Sequence, residues 1–295
     1  MRKRYELSSK INDYSYFHCI ANATRKQHQS DEVSFDARDK DYLLGLIHRL
    51  EKLYAGVEVL QYCVMGTHTH LVLAVNNKLE ITRKEVKERY EEFHNGLYEM
   101  DARSDFCFRY RKRLNDISCF MSAFQWHSAT HFNAIRRIEG KLRFGSIWNP
   151  KFNCGLLEGG KAVRQCSLYV AMNPVRANLT IKAEVYKWSS WGERKLQGKD
   201  PHERALKRYF SRFKYDERTY TDMIKQFGDN IEHLEVIHAI KMKTVTHVYS
   251  DHEKKYLNEN LLWGCTKFIG SKEFRSEMRG LSPPVTDSGM APSSG

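Results

Sequence analysis

The chain has 295 residues and a mass of 34.7 kDa, which suits one large domain or two modest ones. Its 48 Lys and Arg residues exceed its 36 Asp and Glu residues, so the formal net charge is +12 and the pI is near 9.3. Such a balance favours polyanionic partners, nucleic acid being the commonest, although ordinary solubility charge would also account for it. The seven cysteines form no C-x-x-C pair, which argues against both a zinc ribbon and a disulfide scaffold.

No stretch of the chain predicts contact with a membrane. The N-terminal residues lack the apolar core of a signal peptide, and no run approaches the roughly 18 apolar residues of a spanning helix. Because singly scattered cysteines are typical of a reducing compartment, we expect a cytoplasmic protein with no membrane partner.

The first half of the sequence predicts three strands and a helix. Residues 14–21 (YSYFHCIA) are aromatic and compact, which is typical of a strand. Residues 40–54 carry apolar side chains at helical spacing. Two strand-like runs follow at 57–65 and 70–75, with a short Gly-Thr turn between them.

The next part predicts an insertion, two helices and a strand. Residues 81–100 are charged and helix-prone, whereas residues 101–113 mix Arg, Lys, Phe and Tyr without a clean period, and we assign about residues 78–115 to the insertion. A long helix is predicted at 117–138 and a turn followed by a strand at 144–157. A second helix is predicted at 161–172, ending where Pro174 forbids its continuation.

The order of these elements predicts an α+β fold, a sheet with helices on one face. We expect one domain over residues 1–198 and a helical accessory region at 199–280. Residues 281–295 (LSPPVTDSGMAPSSG) predict a disordered tail.

His68-Thr69-His70 is the first candidate site. Side chains two apart on a strand point to the same side, so these imidazoles can share one divalent metal. With 13 His in the chain, chance alone gives roughly half of one such pair. The pattern alone therefore leaves a metal role and a structural role equally open.

Tyr169 and Asn173 are the second candidate site, four residues apart and hence on one helical face. A tyrosine hydroxyl forms covalent intermediates when a metal activates the phosphate it attacks, and an amide oxygen suits a hard cation. Spacing alone favours the alternative, in which Tyr169 belongs to the core and Asn173 caps the helix.

Three segments together resemble a known family. YCVMGTHTHLVLAV at 62–75 is similar to the strand-turn-strand of the HUH endonucleases, although Thr69 stands where an apolar residue is usual. FGSIWNPKF at 144–152 resembles the Gly/Trp/basic/Phe segment before the family's last strand. YVAMNPVRANL at 169–179 resembles the REP-associated tyrosine transposases, which are single-tyrosine relatives of the smallest insertion-sequence transposases. The similarity covers about residues 10–195.

The resemblance implies the ferredoxin-like, RRM-like antiparallel sheet of the HUH fold. It implies that His68, His70 and Asn173 bind Mg²⁺ or Mn²⁺ and that Tyr169 is the nucleophile. It further implies cleavage and rejoining of single-stranded DNA at a hairpin, through a 5′-phosphotyrosine, and a nucleoid-associated protein in a prokaryote. Neither the resemblance nor the sequence decides between a monomer and a homodimer.

Basic residues mixed with aromatic ones are typical of surfaces that bind phosphates and stack bases. The cluster that lies between the two candidate motifs predicts DNA contacts by Arg136, Arg137, Lys141, Arg143, Trp148 and Lys151, to which the tyrosine segment adds Arg176. An earlier cluster at 103–113 has the same composition, and for both clusters a solvated face with buried aromatics is an equal alternative.

Two other functions remain open from the sequence. The first is a hairpin-binding protein of the same fold without catalysis, against which the complete set of motif residues argues. The second is a zinc enzyme unrelated to DNA that uses His68, His70 and another histidine.

Overall fold

The computed structural model describes residues 13–24, 33–140 and 146–197, together with 205–207, 209, 212, 225–226, 228–235 and 268–269. The strands are β1 (Tyr14–Asn22), β2 (Val57–Val64), β3 (His68–Asn76), β4 (Asn153–Leu157) and β5 (Phe268–Ile269). The helices are α1 (Ala37–Leu53), α2 (Arg83–Phe93), α3 (Asp105–Arg111), α4 (Ile117–Ile138), α5 (Gly160–Arg176) and α6 (Ser190–Gln197), with a 3-10 turn at Ala183–Val185. None of the described helices is long and apolar enough to cross a lipid bilayer.

The sheet has the order β2-β3-β1-β4-β5. Its first four strands are antiparallel, and the two-residue β5 joins β4 in parallel. The predicted α+β fold with an antiparallel sheet is confirmed. The central pair, β1 and β3, is aligned so that Ile20 lies opposite His70 and Asn22 lies opposite His68.

The two faces of the sheet are covered by different helices. Phe17 and Cys19 of β1 pack with Leu71 of β3 in a core that α1 and α4 complete. The alternate residues Tyr16 and Val72 pack in a second core that includes the inner side of α5. The expectation of helices on one face therefore needs a correction: α5 lies on the opposite face, because both faces of the central strands are apolar enough to be buried.

A β-bulge changes the alternation within β2. The pairing of β2 with β3 shifts between Val59 and Gln61. Val57 and Val59 therefore share the α1 face with Tyr62 and Val64, although the two pairs have opposite parity. An extra residue in one strand of an antiparallel pair produces this change of side.

Side-chain caps fix where the long helices begin. Asp36 caps α1 and forms a capping box with Asp39, and Asp116 accepts from Ser118 and Cys119 at the start of α4. The predicted helix at 117–138 has these bounds in the structure. In the insertion, Ser104 caps the short helix α3, where the sequence shows no clean period.

The sequence predicts that helix α5 stops before Pro174, but in the structure the helix continues to Arg176. Proline removes one backbone N–H and hence one helical hydrogen bond. The chain tolerates this loss so near the end, since Ala177 N–H bonds to the carbonyl of Asn173 and Leu179 N–H to that of Pro174. Asn173 consequently lies inside the helix and is not its cap.

The described residues beyond 199 pack against this same helix and sheet. Tyr209 lies in the second core and donates its hydroxyl hydrogen bond to the Gly160 carbonyl over 3.1 Å. Arg212 forms a 2.8 Å ion pair with Glu58 of β2, and both side chains are largely buried. Of the predicted helical region at 199–280, residues 205–207 and 228–235 are helical and Phe268–Ile269 is a strand. The predicted tail at 281–295 lies outside the described residues.

Candidate functional site

The site begins with the two histidines of β3. His68 and His70 are separated by one residue and project to the α5 side of the sheet, with ring centroids 4.9 Å apart. His70 is only 3% exposed, whereas His68, at the start of the strand, is half-buried. Their predicted position on one face is thus observed.

A third imidazole, which the sequence motifs did not single out, lies beside them. His18 of β1 is buried, its Nε2 is 3.0 Å from Nδ1 of His70, and the two rings are stacked with centroids 5.2 Å apart. The only signal in the sequence is a lone histidine in an aromatic strand. Its contact depends on the register between β1 and β3, which a single sequence does not specify.

The contact between His18 and His70 requires one imidazole nitrogen to donate and the other to accept. Burial lowers the pKa of His70 well below its ordinary value, and positive charge on His18, His68 and Arg176 lowers that pKa further. His70 is therefore neutral at physiological pH and carries one ring proton. If Nδ1 holds this proton and donates it to His18, Nε2 has a free lone pair suited to a metal ion.

Helix α5 brings Tyr169 over these histidines. The centroid of its ring lies 5.7 Å from that of His70 and 5.9 Å from that of His18, edge-on to both. The guanidinium carbon of Arg176 lies 4.8 Å from the centre of the Tyr169 ring. Three residues far apart in sequence, on two strands and a helix, thus converge with their ring centroids 5.2 to 5.9 Å apart.

Asn173 follows Tyr169 by one helical turn and is 9% exposed. Its Nδ2 atom is buried and has no hydrogen-bond partner among the described residues. A buried, unpaired amide is costly, and the two ends of an amide are interchangeable by rotation. Asn173 therefore fits a group that supplies a partner, such as a cation bound by the amide oxygen.

The side chains of the site fit a divalent cation only in part. Within the described ranges, no three His, Cys, Asp or Glu side chains are arranged to hold a metal ion. An ion here would combine the two imidazoles of β3 with oxygens from Asn173, water or a phosphate. Since imidazole suits transition metals and Mg²⁺ prefers oxygen, this set fits Mn²⁺ better than Mg²⁺.

The basic residues predicted to contact DNA are divided by the fold. Arg176 is exposed and belongs to the site, where it lies beside Tyr169. Lys151 is also exposed and lies in the loop before β4. This loop contacts the sheet near His68, because Asn149 N–H bonds to the carbonyl of Asn22. Arg136 and Arg137 are in the last turn of α4, on the opposite face. Lys141 and Arg143 lie outside the described residues.

The prediction that Trp148 contacts DNA needs a correction. The indole is 3% exposed and packs against Phe35 and Phe124, with centroid distances of 5.0 and 5.6 Å. Its Nε1–H donates to Ser128 Oγ over 2.8 Å. No face of the ring is open to a base, so Trp148 is part of the core.

Together, the fold and the site define an α+β protein with a buried histidine cluster beneath a helical tyrosine. No known protein family and no curated protein matches this sequence. Among solved structures, the chain is similar to a REP-associated tyrosine transposase bound to a REP hairpin. The identity is 15%, the match covers 64% of this chain and 82% of that chain, and the TM-score is 0.33. With so low a TM-score, this distant similarity carries no argument about the site or its activity.

Proposed function

We propose that this protein cuts and rejoins single-stranded DNA beside a hairpin, with Tyr169 as the nucleophile. The observation that carries the proposal is the convergence of Tyr169 on His70 and His18 within 6 Å. The sequence motifs at 62–75 and 169–179, which resemble those of single-tyrosine transposases, support the same assignment.

In the proposed reaction, the phenolic oxygen of Tyr169 attacks a backbone phosphorus and the bond from phosphorus to the 3′ oxygen breaks. The phenol loses a proton and the departing 3′ oxygen gains one, leaving a 5′-phosphotyrosine and a free 3′-OH. Attack of a 3′-OH on the phosphotyrosine reverses these steps and rejoins DNA, because the phosphate ester bond is conserved.

The other residues of the site hold and polarise the phosphate in this proposal. His68, His70 and Asn173 would bind the divalent cation, which supplies Lewis-acid polarisation of a phosphate oxygen. Arg176 places a positive charge beside the Tyr169 ring, where the phosphate is attacked. His18 keeps His70 in the tautomer whose Nε2 is free, and it acts as a positioning residue.

A covalent-adduct assay tests the proposal. Wild-type protein is incubated with a labelled DNA hairpin carrying a single-stranded flank and Mn²⁺, and the products are separated under denaturing conditions. We expect a protein–DNA adduct that maps to Tyr169 by mass spectrometry and is absent in Tyr169→Phe. The matched control is Tyr14→Phe, which removes a hydroxyl from the same side of the sheet and leaves the adduct unchanged. An undiminished adduct in Tyr169→Phe contradicts the proposal.

A hairpin-binding protein without catalysis is the second candidate. It is favoured by the lack of a group of three His, Cys, Asp or Glu ligands in the described part of the chain. The same observation speaks against a zinc enzyme built on His68 and His70. Hairpin binding without an adduct, in any divalent metal, selects the second candidate.

A further inference from the structure

A continuous row of aromatic rings crosses the insertion and α4, away from the site. We define the aromatic ridge as the eight rings of Trp126, His127, Phe93, His94, Tyr98, Tyr90, Phe106 and Tyr110. Each ring has a neighbour in the ridge at a centroid distance between 4.5 and 5.7 Å. The ridge joins α4, α2 and α3 into one surface.

Several rings at the edge of this surface are open to solvent. Trp126 is 64% exposed, Tyr98 is 59% exposed and Phe106 is 44% exposed. Phe108, beside the ridge on α3, is 42% exposed. Single exposed apolar residues are ordinary, but these exposed rings are linked to one another through half-buried rings and through Phe93, which is buried. Exposed aromatic groups gathered in one packed cluster mark a surface that contacts something else.

The charges around the ridge indicate what that partner is. The carboxylates of α2 are already engaged. Glu85, Glu88 and Glu91 each pair with a cation one turn away, and Glu92 pairs with Lys52 of α1. At 103–113 there are five cations and one carboxylate. None of these five cations makes an ion pair within the described ranges. The Lys112 ammonium lies 4.6 Å from the centre of the exposed Phe108 ring, and the Arg113 guanidinium lies 5.7 Å from the centre of the half-buried Tyr110 ring. This excess is complementary to a polyanion.

We propose that the aromatic ridge and the cations at 103–113 bind unpaired nucleotides of a single-stranded nucleic acid. Such a chain presents a phosphate and a stackable base at each step, which matches cations interleaved with exposed rings. A duplex offers phosphates but stacks its bases in its interior, where the rings could not reach them. A lipid surface would need a continuous apolar face, and here cations interrupt the exposed rings.

The position of this surface makes it a second contact, separate from the proposed cleavage site. Helix α2 packs on α1, which lies on the face of the sheet opposite to α5. The insertion therefore gives the protein a binding surface for a nucleic-acid strand that does not pass over Tyr169. The proposal goes beyond cleavage and holds whether or not Tyr169 cuts DNA.

The test measures the affinity of the full chain for a dye-labelled oligothymidylate of about 20 nucleotides by anisotropy, without divalent metal. We expect Trp126→Ala combined with Phe106→Ala to weaken binding by about tenfold or more, because each stacked base loses its ring. We expect Arg109→Gln combined with Lys112→Gln to lower the slope of log affinity against log salt by about 1.4, since each phosphate contact on a single strand contributes about 0.7.

Matched controls and other polymers complete the test. Ile181→Ala removes an exposed apolar side chain elsewhere, and Lys84→Gln removes an ion-paired cation of α2; neither changes the affinity. Circular dichroism and thermal melting show that each variant is folded. Unchanged binding by the folded ring variant, or equal binding of base-free polyphosphate, overturns the proposal. A concentration-dependent dimer lost in the ring variant, with unchanged oligothymidylate affinity, overturns it and assigns the surface to a second copy.

Discussion

The two faces of the sheet use the same strands for different purposes. Along β3, Leu71, Leu73 and Val75 point to α1 and α4 and form an apolar core, whereas His68 and His70 alternate with them and point to α5. The first face is sealed by two long helices. The second keeps polar rings beneath a half-buried tyrosine. The apolar residues of the first core and the two imidazoles are thus separated by a spacing of one residue along β3, so that a substitution on each face has a distinct expected effect.

The largest expected effect is on the sealed face. Replacing Trp148 with Ala removes a buried indole and its hydrogen bond to Ser128, which lowers the free energy of unfolding by about 3–5 kcal/mol. Chemical denaturation measures this loss. Lys151→Ala, three residues away and exposed, is the control and changes stability by less than about 0.5 kcal/mol. If Trp148→Phe lost hairpin binding but kept its stability, the indole would have to contact DNA after all.

A smaller effect is expected at the polar face. His18→Ala removes the partner of His70 Nδ1 and lowers Mn²⁺ affinity by about 10- to 100-fold, measured by calorimetric titration. His18→Gln offers an amide oxygen that accepts the same hydrogen bond, and it recovers most of the affinity.

The tautomer of His70 provides a readout independent of metal. In the metal-free wild type, long-range proton–nitrogen NMR should show the proton on Nδ1, and in His18→Ala a mixture of both tautomers. Tyr16→Phe, the neighbouring alternate residue of β1, is the control and changes neither the affinity nor the spectrum. A wild-type proton on Nε2 would contradict the positioning role of His18.

The smallest expected effect is a dependence of stability on pH at the helices of the sealed face. Burial, followed by positive charge on His94 and Arg49, lowers the pKa of His127 from 6.5 to about 4. The unfolded chain therefore takes up a proton first as the pH falls. The contribution of uncharged His127 to the free energy of unfolding is complete above about pH 6.5 and is lost as the pH falls towards about 4. After allowance for solvent screening of this half-buried ring, the loss is on the order of 1 kcal/mol.

Urea denaturation between these pH values measures the contribution of His127. The variant His127→Gln should show a shallower fall in stability with acid than the wild type. Identical pH dependence in the two proteins would show that the ring is as accessible to protons in the folded chain as in the unfolded one.

Local signals in the sequence predicted much of this arrangement. The bounds of α4 follow from Asp116 and an apolar period, and the strand-turn-strand around His68 follows from alternation and a Gly-Thr turn. Tyr169 and Arg176 were predicted at the site by the motif that carries them, and the structure places both near His70.

What the sequence could not predict depends on contacts across the chain. His18 meets His70 only through the register of two strands 52 residues apart. Trp148 was misassigned because its basic neighbours do not reveal that its ring is buried under α4. The rule that a helix stops before proline predicted the wrong end of α5, since Pro174 lies in the last turn, where a proline removes a single hydrogen bond.

The irregularity in β2 has a consequence for how this chain tolerates insertions and deletions. Loss of Leu60, the extra residue between Val59 and Gln61, would leave regular pairing in which Gln61 still lies opposite Val72 and Tyr62 opposite Leu71. Tyr62, whose hydroxyl donates to Glu193, would then keep its place beneath α1, and only the packing of Leu60 in the second core would be lost. A deletion of one residue at this point should thus be far less damaging than one within β3, whose regular pairing with β1 would turn its residues to the opposite face.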